Sequence, residues 1–208
     1  GTYRPDTPSD TFDDDTLNFI LDKLKPKKYK FQEQVIFEKS YPDSKRWPVG
    51  NAYSIPNPSQ NIQSFFYSVQ KANQLKVQYE QENNFIYDCV IRTRFDYLFM
   101  EQYDISKYDL NYLHIKDDCT HTDYAINDHL ALSNSKTMDI YSDMFDYLGR
   151  CYNDGIEFNT EVIWGYYVQV IKNIRVAKTL GKNESYLSTV RERWRAWGMP
   201  DQHKILDI

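Results

Sequence analysis

A chain of 208 residues lies within the range of one domain and is long enough to bury a substantial core without disulfide or metal staples. Its formal charge of −5 argues against general nucleic-acid binding, which leaves a basic footprint on one face. Cys89, Cys119 and Cys151 form an odd set with no Cys-x-x-Cys pair, which reads as reduced thiols in a cytosolic setting rather than a disulfide framework. No stretch of about 18 apolar residues is present, and the start lacks the basic-then-apolar plan of a signal peptide, so no membrane segment is expected in this chain.

Residues 1–12, with Pro5 and Pro8, read as an irregular lead-in. Asp13, Asp14 and Asp15 then precede Leu17, Ile20, Leu21 and Leu24 at helical spacing. Acids at a helix start complement the macrodipole, and that reading is preferred to a metal site. Lys25, Lys27, Lys28 and Lys30 read as a solvated surface. Pro26 closes the helix, and Tyr29 to Phe37 alternates as a strand would.

From Glu38 to Gln60 the prolines predict a long surface loop, with Trp47 and Tyr53 as stacking candidates. Ser59 is expected to cap a helix reaching about Glu82, with Ile62, Phe65, Phe66, Val69, Ala72 and Leu75 as its buried stripe. Asn83 and Asn84 separate it from a strand that ends near Asp96. Asn111 to Lys116 is a further strand, followed by a polar loop holding Asp117, Asp118, His121 and Asp123. A helix from Ser135 presents Met138, Tyr141, Met144, Phe145 and Leu148 inward and stops before Gly155. Thr160 to Lys172 is another helix with Thr160 as its N-cap, and Ile174 to Ala177 is a short strand. Alternating helices and apolar strands predict an α/β fold.

The segment Val90-Ile91-Arg92-Thr93-Arg94-Phe95-Asp96 ends a β-prone run with two arginines and a carboxylate. On an extended backbone Arg92, Arg94 and Asp96 share one face. Guanidinium groups bind phosphate oxygens in pairs, and a carboxylate suits a hard divalent cation, so the pattern fits a diphosphate and its metal. A buried structural ion cluster is the alternative. Asp128 lies between Ile126 and an apolar run, and reads either as a cleft-facing group or as a turn aspartate bonded to its own backbone. Glu161 is either a substrate-site acid or a first-turn helix stabiliser. The four histidines show no zinc-motif spacing. P-loop, Rossmann and nucleophile-elbow motifs do not occur.

The string Tyr87-Asp88-Cys89-Val90-Ile91-Arg92-Thr93-Arg94-Phe95-Asp96 resembles the segment carrying the Asp-x-Asp-type site of small GT-A glycosyltransferases. These are encoded by large algal viruses such as the chlorella viruses and by bacterial surface-polysaccharide loci. Phe65 to Asn73, Ile126 to Ser133, and Phe158-Asn159-Thr160-Glu161 fit in the same order, so the resemblance spans roughly 17 to 174. It implies one GT-A-like domain over residues 1–208, a mixed β-sheet flanked by helices, with the first nucleotide-binding strand upstream of residue 1 or shortened. It also implies transfer of a sugar from a nucleotide-diphosphate donor, a UDP-sugar, to a glycan or glycoprotein acceptor, assisted by Mn²⁺ or Mg²⁺. The setting implied is the cytoplasm, that of the host for a viral protein. Arg92, Arg94 and Asp96 would bind the nucleotide sugar, Asp96 and His203 the metal, and Asp128 and Glu161 would serve catalysis. One departure stands out: Arg94 occupies the position two before Asp96, where the family carries a second acid. A non-catalytic carbohydrate- or nucleotide-binding domain of the same fold and a nucleotidyltransferase are the rival readings.

Overall fold

The computed structural model describes residues 14–41, 58–94, 97–99, 104–117, 124–180 and 187–189. The lead-in, most of the proline-rich loop with Trp47 and Tyr53, and Asp96, Asp118, Cys119, His121, Asp123 and His203 lie outside the described residues.

Helix α1 (Asp14–Leu24) carries Asp14 and Asp15 in its first turn and Lys23 in its last, each complementing the dipole. Leu17, Ile20 and Leu21 are half-buried and Leu24 is exposed; the helix ends at Lys25, which takes the left-handed region at φ 43°. The strand expected over 29–37 does not form. That segment belongs to no ladder among the described residues and runs instead beside helix α2 (Pro58–Asn83), whose Gln60 side chain bonds the Val35 carbonyl and the Phe37 N–H.

Proline suits the first position of α2, where its missing N–H has no helical partner. Ser59 lies within the first turn, and its hydroxyl accepts from the Tyr41 N–H at 3.1 Å instead of acting as the expected cap. Phe66 and Val69 are buried with Ile62 and Phe65 beside them, but Ala72 is exposed. Gln60, Gln63 and Gln70 are buried because they bond to neighbouring segments. Asn84, at φ 52°, ends the helix in the left-handed region that asparagine tolerates.

Four strands form a mixed sheet in the order β1 (Val90–Thr93), β4 (Leu130–Ser133), β3 (Leu113–Lys116), β5 (Val176–Leu180). The β1–β4 and β4–β3 pairs are antiparallel and β3–β5 is parallel. A separate pair joins β2 (Tyr97–Phe99) to β6 (Leu187–Thr189). The fold is therefore mixed α/β with helices on the sheet, as the alternation predicts. No helix among the described residues is long and apolar enough to cross a membrane.

Helix α3 (Ser135–Ser142), a 3-10 stretch (Asp143–Tyr147) and α4 (Leu148–Asn153) replace the single helix expected from Ser135. Met138, Tyr141, Met144 and Leu148 are buried as predicted. Helix α5 (Thr160–Tyr166) continues as a π-helical turn through Ile171. Its N-cap is Asn159 rather than Thr160: the Asn159 amide oxygen accepts from the Glu161 and Val162 N–H groups. The main core gathers Phe66, Leu113, Ile115, Ala131, Tyr141, Ile163, Trp164 and Tyr167 between the sheet and helices α2, α3 and α5. The opposite sheet face carries Leu130 and Leu132 with Leu180, backed by Tyr108 and Leu110.

Candidate functional site

Because β1 and β4 run antiparallel with Thr93 opposite Leu130, the end of β1 meets the turn that feeds β4. That turn is Ala125 to His129, with Asp128 near its exit. The carboxyl ends of β3 and β5 face the same edge, since Ile115 pairs with both Ala131 and Lys178. Ligands collect on such edges in α/β sheets.

Helix α5 grips the turn along its length. The Ile126 N–H donates to the Glu161 carbonyl at 3.2 Å, and Gln169 Nε2 donates to the Tyr124 carbonyl at 2.7 Å. Gly165 is pressed against that carbonyl so closely that a Cβ would overlap it. The Asn127 side chain closes the turn, its Oδ1 accepting from the His129 N–H at 2.8 Å. Asp128 is thus not the self-bonded turn aspartate. Its Oδ2 lies 3.4 Å from the Thr160 hydroxyl and its Oδ1 3.3 Å from His129 Nε2, with the side chain 13% exposed.

Beneath this carboxylate lies Arg92. It sits opposite Ala131 on the helix-covered face, and the small alanine leaves room for a guanidinium. That guanidinium lies over the Phe65 ring at 5.3 Å and the Trp164 ring at 5.1 Å, and its Nη1 donates to the Asp128 carbonyl. Trp164 is held in turn by stacking on Tyr141 at 4.2 Å and by donating from Nε1 to the Tyr141 carbonyl at 2.8 Å. Burial pushes the Tyr141 hydroxyl far above its ordinary range, with Asp128 reinforcing and Arg92 opposing the shift.

No protein family, curated protein or solved structure matches this chain.

Of the residues singled out in the sequence, the fold brings Arg92 and Asp128 into direct contact. Glu161 is joined to the same turn through its carbonyl and lies in the first turn of α5. Arg94 follows β1 directly and is half-buried. Asp96 and His203, the expected metal ligands, lie outside the described residues. Among the described residues no group of three or more His, Cys, Asp or Glu side chains could hold a metal ion. Asp128 and His129 alone do not make a metal cage.

Sequence reasoning did not assign Thr160, Tyr141 or Trp164 to this cluster. Thr160 and Trp164 are four apart on α5 and therefore share a face, which was the available signal. Phe65, expected on the buried stripe of α2, packs against the core and also lies under the Arg92 guanidinium.

Proposed function

We propose that this chain is a GT-A-like glycosyltransferase that moves a sugar from a nucleotide-diphosphate donor, a UDP-sugar, to a glycan acceptor. The observation that carries the reading is the Asp128 carboxylate, held at a sheet edge between a hydroxyl and an imidazole with the half-buried Arg92 guanidinium bonded to its backbone carbonyl. A carboxylate so held can bind sugar hydroxyls. It can also take the proton of an acceptor hydroxyl while that oxygen bonds to the anomeric carbon and the bond to the diphosphate breaks. Arg94 and Asp96 belong to the diphosphate side of this proposal and Glu161 to the substrate side, while Arg92, expected beside them on the nucleotide sugar, bonds to the Asp128 carbonyl and holds that residue in place. Mn²⁺ or Mg²⁺ enters the same proposal through Asp96 and His203, supplying charge neutralisation at the departing diphosphate.

The test incubates the full chain with a panel of UDP-sugars and Mn²⁺ and measures UDP release. Slow release is expected, falling by about 100-fold or more in Asp128→Asn at unchanged melting temperature. Wild-type release retained by Asp128→Asn removes this residue from the mechanism. Metal-dependent UDP binding without any release favours the non-catalytic domain, and pyrophosphate liberated from a nucleoside triphosphate favours the nucleotidyltransferase.

A further inference from the structure

Residues 23–31 hold five lysines and no acid in a chain whose formal charge is −5, with Asp22 and Glu33 as the nearest carboxylates in sequence. The structure divides the five. Lys28 turns to α2, where its ammonium meets Glu82 at 2.6 Å, and Gln32 Nε2 donates to the Tyr67 hydroxyl of the same helix at 3.5 Å. These contacts hold the segment beside α2. Lys23, Lys25, Lys27 and Lys30 stay exposed, and among the described residues no carboxylate lies within ion-pair distance of them.

Set among these cations are large apolar side chains that folding leaves in water: Leu24 is 56% exposed, Tyr29 57% and Phe31 45%. Tyr29 and Phe31 meet edge to face at 6.1 Å, and at the other end of the run the Lys23 ammonium lies 5.4 Å from the partly exposed Phe19 ring. A lysine run that only solvates a surface gains nothing from such neighbours. Cations with exposed apolar groups between them fit a surface that is anionic outside and apolar beneath, which is the chemistry of lipid headgroups over acyl chains. A polyanion such as nucleic acid would engage the lysines and the rings but leave Leu24 in water.

We propose that residues 23–31 dock this protein on a bilayer surface bearing anionic headgroups, with Lys23, Lys25, Lys27 and Lys30 at the headgroup charges and Leu24, Tyr29 and Phe31 entering the headgroup layer. Among the described residues no helix could cross the bilayer, so this attachment is peripheral and reversible. At about fivefold in affinity for each lysine, four favour an anionic over a neutral surface by roughly several hundred-fold. This inference is independent of the proposed chemistry.

Co-sedimentation of the full chain with phosphatidylcholine vesicles, with and without about 30% phosphatidylserine, tests it. The chain is expected to pellet with the anionic vesicles only, and to return to the supernatant as salt rises from about 0.1 M to about 0.5 M. Lys25→Gln combined with Lys27→Gln should weaken binding about 25-fold, and Leu24→Gln combined with Tyr29→Gln about tenfold, both at unchanged melting temperature because the replaced side chains are exposed. Asp22→Asn removes the adjoining negative charge and should tighten binding about fivefold, a gain that misfolding cannot produce. Absence from the anionic pellet overturns the proposal, as does equal binding to neutral vesicles or binding indifferent to both double variants. Binding weakened by the lysine pair but untouched by the Leu24 and Tyr29 pair also overturns it, and assigns the patch to polyanions such as nucleic acid.

Discussion

Replacing Glu80 by alanine tests how the site is anchored from a distance. The Glu80 side chain is 8% exposed, and its Oε1 accepts from the Tyr87 N–H at 2.9 Å and the Ser135 hydroxyl at 2.7 Å, with Lys76 Nζ 3.2 Å from Oε2. It therefore ties α2 to the chain entering β1, which carries Arg92, and to the first residue of α3. Removing one partner of a buried ion pair costs about 3–5 kcal/mol. Lys76 retains Asp139 at 2.7 Å and the Ser135 hydroxyl, so Glu80→Ala falls at the lower end, about 3 kcal/mol. For a chain of this size that lowers the melting temperature by roughly 6–12 °C. Glu80→Gln keeps an acceptor oxygen but loses the charge, and is expected to cost about 1–2 kcal/mol.

The pH dependence follows from the same contacts. Burial works to raise the Glu80 carboxyl, but the Tyr87 N–H, the Ser135 hydroxyl and Lys76 outweigh it and hold the group below its ordinary 4.5. A carboxyl depressed in the folded state contributes stability that is fully present above its unfolded pKa and is lost as pH falls through the folded value. Measured by urea unfolding with circular dichroism, the gap between wild type and Glu80→Gln should be flat near neutrality and narrow as the pH drops below 4.5. A Glu80→Ala loss under about 1 kcal/mol, or a gap indifferent to acid, refutes the account.

Burial raises the Cys151 thiol to about 12, with Asp154 adding and Arg150 opposing. Iodoacetamide should therefore leave Cys151 unlabelled in the native protein at pH 9, where about one thiol in a thousand is ionised, and label it after unfolding in urea, as read by peptide mass mapping. Gly165→Ala should cost about 1–3 kcal/mol, because the added methyl meets the Tyr124 carbonyl; unchanged urea unfolding in that variant would mean the packing of α5 on the turn yields freely.

Periodicity sufficed for the extents of α1 and α2 and for which face turns inward after Ser135, but not for the division of that segment into α3, a 3-10 stretch and α4. The inward set Met138, Tyr141, Met144 and Leu148 and the limits of α1 and α2 follow from local spacing and end signals, which depend on nothing outside the segment. The strand nature of Val90 to Thr93 and of Leu113 to Lys116 was legible for the same reason. Whether an extended segment becomes a strand is a different matter, since a ladder needs a partner. Tyr29 to Phe37 has the alternation, yet tertiary packing gave it α2 as its neighbour, and glutamines that look like solvent-facing positions became buried donors.

The site divides along the same line. Composition and spacing showed that Arg92 and Asp128 are residues suited to phosphate, sugar or proton chemistry. They did not show that Arg92 reaches inward, because period two settles which residues share a face but not which face the helices cover. Register settles that: pairing with Ala131 sets Arg92 against Phe65 and Trp164 and brings it to the Asp128 carbonyl 36 residues along the chain. A contact between segments so far apart is closed by the sheet, and no local pattern in either segment encodes it.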